Sequence, residues 1–457
     1  MTGGWRLWAG PVGGAALALA VWGLLALSVP AAITLGVTAW VAWWWMAEPV
    51  ENPFASLVPL AVLPLVGVLT GKQVALAYGD PLILLLAGGF MLSAAVERSG
   101  VHRRLALLLL SLVGGGSGAR IVIAFAVATA MLSMWVSNTA AALMMLPVAL
   151  AVLDGYPDRR LATPLILGVA YAASIGGMGT PIGTPPNLVF LSVYEETTGV
   201  RVGFAQWMMW AIPPMLLMLA GMLAWLTRGL AGAPPAALPE PGPWSTAERR
   251  VLLVFAAVAA GWVLRSEPFG GWSGLLGVST ANDAAVALLG VVVMGVMSDG
   301  QGGRLLDWRT AEGIPWGTLL LFGGGLSLAA AFESTGLSEV IGAGLGGVRE
   351  LPLPVILFGL TASVTLMSEI ASNTATAVLL LPILAAVATG LDIEPARLMV
   401  PGTLAASCGF MLPVATAPNA IAHGTERVTA AEMMRHGAVV DLIGVLAVTL
   451  FGWWIVG

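Results

Sequence analysis

Of 457 residues, 58% are hydrophobic and only 9% charged, which leaves too little polar surface to solvate a water-soluble globule of this size, so the chain is read as an integral membrane protein. The formal net charge of −5 is thinly spread, Lys72 is the only lysine, and no basic run interleaved with aromatics occurs, which excludes nucleic acid as a partner. A single cysteine, Cys408, excludes a disulfide framework and a cysteine-ligated metal cluster.

Apolar stretches of roughly 17 to 25 residues, long enough to cross a hydrocarbon core as helices, recur from Val12 to Trp454. They predict an all-α polytopic membrane protein with about 11 transmembrane helices plus two re-entrant helical hairpins. Residues 1–30, with Arg6 ahead of the apolar run Gly13 to Ala26, have the outline of a secretory signal. A second apolar segment, Ala31 to Met46, follows with almost no polar spacer, so the pair is predicted as a retained transmembrane hairpin turned at Pro30. Trp43 to Trp45 then read as interfacial anchors.

Residues 31–227 form the first of two repeats. Within it, Ile121 to Val136 is apolar and, at about 1.5 Å per residue, long enough to pass the bilayer midplane. Ser137, Asn138 and Thr139 follow, then a second apolar arm to Val152, so about 119–153 is predicted as a hairpin with the tripeptide at its tip. The loop Gly183 to Asn187 breaks another apolar run with Pro185 and Pro186. Residues 228–250, with Pro234, Pro235, Pro239, Pro241 and Pro243, suit a cytoplasmic linker. The second repeat, 251–457, carries its own hairpin at about 352–390, tipped by Ser372, Asn373 and Thr374, and its own loop, Ala415 to Asn419.

These features recur in one order. Ser133 to Ala140 aligns with Ser368 to Ala375 at an offset of 235 residues, and proline follows each threonine eight positions on, as Pro147 and Pro382. Upstream, Gly88-Gly89 and Glu97 to Gly100 answer Gly324-Gly325 and Glu333 to Gly336; downstream, Gly183 to Asn187 answers Ala415 to Asn419. An odd number of crossings per repeat turns the second copy upside down. Arg103, Arg104, Arg120, Arg159 and Arg160 flank the first hairpin, whereas Glu339, Arg349, Glu350, Asp392, Glu394 and Arg397 flank the second. The first hairpin is therefore expected to enter from inside and the second from outside. Counted along this topology, fourteen basic residues lie inside and five outside, which places the N-terminus in the cytoplasm and the C-terminus outside, across a cell inner membrane.

The hairpin tips bring two helix N-termini toward mid-membrane, where free N–H groups attract a carboxylate and unwound carbonyls and hydroxyls suit a small hard cation. A polar triad of this kind can also staple helices together; its duplication points to a ligand site. No arginine, lysine or histidine lies next to either tip, so bound cations are expected to offset an anion there. Glu369 is expected inside the membrane, either in a structural hydrogen bond or in ion or proton coupling; Asp441 in the last span is a weaker candidate. His102, His423 and His436 have no metal-ligand spacing.

At these motifs the sequence resembles the divalent anion:sodium symporter family, over nearly the whole chain from about Trp40. The resemblance implies a homodimer of protomers with a scaffold and a mobile transport domain that moves as an elevator. It also implies at least two sodium sites, one at Ser133, Ser137, Asn138 and Gly183 and the other at Ser368, Ser372, Asn373 and Ala415. The implied substrates are C4 dicarboxylates such as succinate, malate and fumarate, with citrate or sulfate in some members. They would be held by Ser137, Asn138, Thr139, Thr184, Pro185, Ser372, Asn373, Thr374 and Thr416, with Ala417 standing where many relatives have proline. A sodium-independent exchanger is the alternative within the family. A membrane enzyme is disfavoured because no Ser-Lys pair, His-Glu-x-x-His or paired carboxylate motif is visible, and a channel because it would not require an inverted repeat.

Overall fold

The computed structural model describes residues 4–25, 27–113, 117–154, 156, 158–230, 242–266, 270–278, 280–337, 340 and 351–454. Eight segments among them are helical, long and apolar enough to cross a membrane, and five shorter apolar helices of 10–17 residues accompany them. About eleven full spans are expected from the sequence; among the described residues some apolar runs are broken, such as 162–198, which holds two short helices.

The first half begins with α1 (Gly4–Leu25) and α2 (Val29–Ala47), joined at Ser28, which caps α2, with Pro30 in its first turn. The indoles of Trp43 and Trp44 donate to the carbonyls of Arg6 and Leu7 at 2.9 and 3.0 Å, fixing the predicted hairpin. Next come α3 (Asn52–Leu65), α4 (Gly71–Tyr78), α5 (Pro81–Ser99) and α6 (Val101–Val113). Two arms, α7 (Gly118–Ser133) and α8 (Asn138–Asp154), follow, parted by residues 134–137. A broken pair, α9 (Ala162–Gly177) and α10 (Pro185–Thr198), precedes α11 (Phe204–Leu226).

The second half repeats the pattern. It runs through α12 (Thr246–Val263), α13 (Gly271–Leu275), α14 (Asp283–Val296), α15 (Trp308–Ala311) and α16 (Trp316–Ser334). The arms α17 (Leu353–Ile370) and α18 (Asn373–Gly390) follow, then the broken pair α19 (Ala396–Ala406) and α20 (Ala417–Gly424), and finally α21 (Ala430–Trp454). Glu339, Arg349 and Glu350, used above to orient the second hairpin, lie outside the described residues.

The duplicated glycines explain how the halves embrace. A Cβ on Gly88 of α5 would lie 2.8 Å from the Ala287 methyl of α14, and one on Gly324 of α16 would lie 2.7 Å from the Ser56 carbonyl of α3. In each half the first glycine of the pair lets its helix approach a helix of the other half closely, while the second, Gly89 or Gly325, packs against Ile182 or Val378 of its own half. The hairpin arms cross over as well: α8 packs on α20, and α10 packs on α18.

The linker's C-terminal end is helical. Ser245 forms a capping box with Glu248, so α12 starts at Thr246, five residues before the expected boundary. Its anchor is Arg104 of α6, whose Nε donates to Glu248 Oε1 at 2.9 Å and whose Nη2 donates to the Pro243 carbonyl at 2.7 Å. The guanidinium also lies 4.8 Å from the Trp244 ring. Desolvation pushes the Glu248 carboxyl up, but the hydrogen bonds from Arg104 and Ser245 outweigh it and hold the group below the usual carboxylate range. The Arg104→Ala variant is expected to lose several degrees of thermal midpoint in detergent, because it strands a buried carboxylate, while Arg104→Met combined with Glu248→Leu recovers most of the loss. Thermal melts of the three proteins check this; equal loss in the single and double variants would refute the pairing.

Candidate substrate and cation site

Both hairpins break because serine competes for backbone donors. Ser372 caps α18 by accepting the Ala375 N–H at 3.2 Å, and Ser137 accepts the Ala140 N–H at the same distance. The two tips are built alike around their asparagines. Ser133 Oγ donates to the Ala173 carbonyl at 2.6 Å and lies 2.8 Å from the Asn138 amide. Ser368 Oγ donates to the Ala406 carbonyl at 2.6 Å and lies 2.8 Å from Asn373 Oδ1.

Each loop is pinned by the asparagine that follows Pro186 or Pro418. Asn187 Nδ2 donates to the carbonyls of Gly177 at 3.0 Å and Thr180 at 2.7 Å; Asn419 Nδ2 donates to those of Gly409 at 2.9 Å and Leu412 at 3.0 Å. All six residues pair at an offset of 232. The bonds satisfy carbonyls that the missing helical turns leave open, as a break inside a membrane requires.

The loops thereby meet the tips. The Asn138 amide lies 3.1 Å from the Ala173 carbonyl and 3.2 Å from that of Gly183, with Gly177 packed against its side chain. When Oδ1 occupies the inward position it faces acceptors alone, so either the amide turns its nitrogen inward or a cation sits among the oxygens. In the second half, Gly409 leaves the space that brings the loop in. A Cβ there would lie 3.3 Å from that of Ala415, 3.4 Å from the Ser368 carbonyl and 3.7 Å from Thr416 Cγ2.

The structure thus joins Ser133, Asn138 and Gly183 in one cluster, and gathers Ser368, Asn373, Ala415 and Thr416 around the other tip. Ser137 and Ser372 cap the second arms, and Thr139 and Thr374 are half-buried at the second positions of α8 and α18. Thr184 is buried before α10, while Pro185 and Ala417 open α10 and α20.

Sequence reading missed the carbonyls of Ala173 and Ala406. It also missed the hydroxyls of Ser174 and Ser407 beside them, which are buried and without a hydrogen-bond partner, as are Oδ1 of Asn187 and Asn419. A signal was present: Ala172-Ala173-Ser174 recurs as Ala405-Ala406-Ser407 at an offset of 233.

The halves differ in how tip and loop are tied. In the first, the Thr180 hydroxyl donates to the Met134 carbonyl. In the second, Glu369 accepts the backbone N–H groups of Met411 at 2.8 Å and Leu412 at 2.9 Å. The hydrogen-bonding role expected for Glu369 is therefore present, with a carboxyl taking the place that a hydroxyl holds in the first half.

Paired broken helices whose tips present hydroxyl, amide and carbonyl oxygens inside an all-helical membrane bundle define a membrane transporter. The chain belongs to the sodium:sulfate symporter family, whose transmembrane region matches residues 25–456. It is 34% identical over 454 residues to the sodium-dependent dicarboxylate transporter SdcS of Staphylococcus saprophyticus, covering 94% of this chain and 87% of that protein. The Staphylococcus aureus SdcS is also 34% identical, over 92% of this chain and 85% of its own length. Two solved structures share the fold. The Alcanivorax borkumensis YdaH transporter has a TM-score of 0.63 at 19% identity, covering 93% of this chain and 98% of its own. Neisseria gonorrhoeae MtrF has a TM-score of 0.59 at 14% identity, covering 86% and 84%.

The approach of Gly177 to Asn138 yields a test. Gly177→Ala places a methyl against the amide and is expected to weaken sodium-induced thermal stabilisation by at least about tenfold in apparent affinity. An unchanged sodium titration would show that Asn138 does not need this position.

Proposed function

We propose that the chain imports small dicarboxylates by coupling them to inward sodium flow, with one cation site at each hairpin tip and the substrate between the tips. The observation that carries this reading is the twofold cluster of oxygens, above all the Asn138 amide ringed by Ser133 Oγ and the carbonyls of Ala173 and Gly183. Such a set suits a hard monovalent cation, whose charge removes the repulsion among the oxygens. The first site draws on Ser133, Ser137, Asn138 and Gly183, the second on Ser368, Ser372, Asn373 and Ala415.

A dicarboxylate needs positive charge, and the tips supply it indirectly. Helix N-termini at Asn138 and Asn373 offer N–H groups, Thr139 and Thr374 add hydroxyls, and Thr184, Pro185, Thr416 and Ala417 form the walls. Two sodium ions beside a dianion leave the loaded site near neutral, whereas either species alone carries a net charge into low dielectric. Obligatory coupling follows from that difference. The sodium dependence and dicarboxylate in the names of the staphylococcal relatives support this assignment.

In the full cycle, the hairpins and broken helices move as an elevator against the remaining helices, in a homodimer whose N-termini face the cytoplasm of the inner membrane. The bonding of each tip to its own loop supports movement as one body, since separating them would expose the bonded carbonyls.

Uptake of labelled succinate into proteoliposomes is expected with an inward sodium gradient and not with potassium in its place. Asn138→Ala and Asn373→Ala are each expected to reduce uptake by at least about tenfold while remaining folded and membrane-inserted. Near-normal uptake in both variants would sink the site assignment. Sodium-independent uptake that requires internal dicarboxylate would make the protein an exchanger, and uptake of citrate or sulfate alone would redirect the substrate class.

A further inference from the structure

One side chain at the first tip reaches beyond it. Trp135, between Ser133 and Ser137, stacks on Phe204, which opens α11, with ring centres 6.1 Å and planes 14° apart. It also meets Phe255 of α12 edge to face, at 5.9 Å and 85°. Phe204 in turn stacks on Trp262 of α12 at 5.0 Å and 11°, and the Trp262 indole donates to the Asp283 carbonyl of α14 at 2.9 Å. The tip is thus joined to α12 twice, directly and through α11.

These contacts carry the placement of the indole. Phe204 and Trp262 are buried, whereas Trp135 is half-buried and borders an apolar groove of about 330 Å3 that Leu105 of α6 and Leu252 and Ala256 of α12 also line. With open space on that side, the ring is fixed by its stacked and edge-to-face neighbours, both favoured arrangements for aromatic pairs. Helix α11 touches the rest of the site as well. Trp207, one turn after Phe204, donates to the Met178 carbonyl at 3.0 Å, where α9 ends and the chain turns toward Gly183.

The second tip is placed differently. At the repeat's offset of 235 residues Ile370 stands for Trp135, and its side chain is 70% exposed, as that of Leu366 one turn earlier is 60%. An aliphatic side chain cannot reproduce the stacked contacts, so the clasp distinguishes the first tip from the second.

We propose that Trp135 is a positioning residue for the first cation site, a reading that rests on the cation sites proposed above. Clasped by Phe204 and Phe255, it fixes the turn between Ser133 and Asn138, where the Met134 carbonyl takes the Thr180 hydroxyl and Ser137 caps α8. A turn held in advance leaves less ordering for an arriving ion to bring about, so the clasp raises sodium affinity at this site without touching the ion.

Sodium-induced thermal stabilisation of the purified protein tests the role. Trp135→Leu removes both ring contacts and is expected to weaken apparent sodium affinity by about tenfold, whereas Trp135→Phe keeps a ring and stays within about threefold of wild type. Phe255→Leu is expected to weaken it less, and adding it to Trp135→Leu to change little further, because both act through one contact. In proteoliposomes, Trp135→Leu should need more sodium for half-maximal succinate uptake while its rate at saturating sodium stays within about twofold of wild type. An unchanged sodium titration in Trp135→Leu, equal weakening in Trp135→Phe, additive losses in the double variant, or a rate that sodium cannot restore would each overturn the role. A wild type that sodium does not stabilise would instead refute the cation-site reading. The clasp itself is then decided by melts without sodium, where losses of Trp135→Leu and Phe255→Leu that simply add would refute it.

Discussion

Inside a bilayer every backbone N–H and C=O that leaves a helix needs another partner, and no water is available to serve. The site described here is a set of solutions to that constraint. Four helices stop inside their apolar runs, at Ser133, Gly177, Ile370 and Ala406, and four restart at Asn138, Pro185, Asn373 and Ala417. Each stop exposes carbonyls and each restart exposes N–H groups, so polar atoms of both signs are concentrated where the surroundings are most apolar. Asn187 and Asn419 satisfy some of the carbonyls, and Ser137 and Ser372 satisfy some of the donors. The oxygens left over are the ones available to a cation.

Close packing makes this arrangement possible. Gly177 brings the end of α9 against the Asn138 amide, and Gly409 admits the Ala415 loop to Ser368. A Cβ at Gly177 would clash with the Asn138 amide, and one at Gly409 would press tightly on Ala415 and the Ser368 carbonyl. Gly88 and Gly324 act at the level of whole helices, letting α5 reach α14 and α16 reach α3. Function and architecture thus rest on the same device, the removal of a Cβ where backbones must nearly touch.

The two halves are copies that have diverged at one contact. A hydroxyl ties the first tip to its loop and a carboxylate ties the second, so the second site holds an ionisable group that the first lacks. Such a group is costly in lipid, and its two backbone donors are the local compensation. The asymmetry separates the chemistry of the two tips even though their asparagine and serine geometry is nearly the same.

Sequence alone fixed a great deal here because the information is periodic and duplicated. Length and apolarity determined the all-helical membrane class, serine and proline located the helix breaks to within a residue or two, and the repeat paired the breaks of one half with those of the other. It did not reveal Ala173 and Ala406, whose contribution is a backbone carbonyl that any residue would carry; only the packing of α9 on α7 and of α19 on α17 makes those two the partners of Ser133 and Ser368. Nor did it pair Glu369 with the N–H groups of Met411 and Leu412, 42 and 43 residues further along the chain. Hydrophobic period and local breaks are written along the chain, whereas a contact between distant groups depends on how the helices cross, and that was settled only in the tertiary structure.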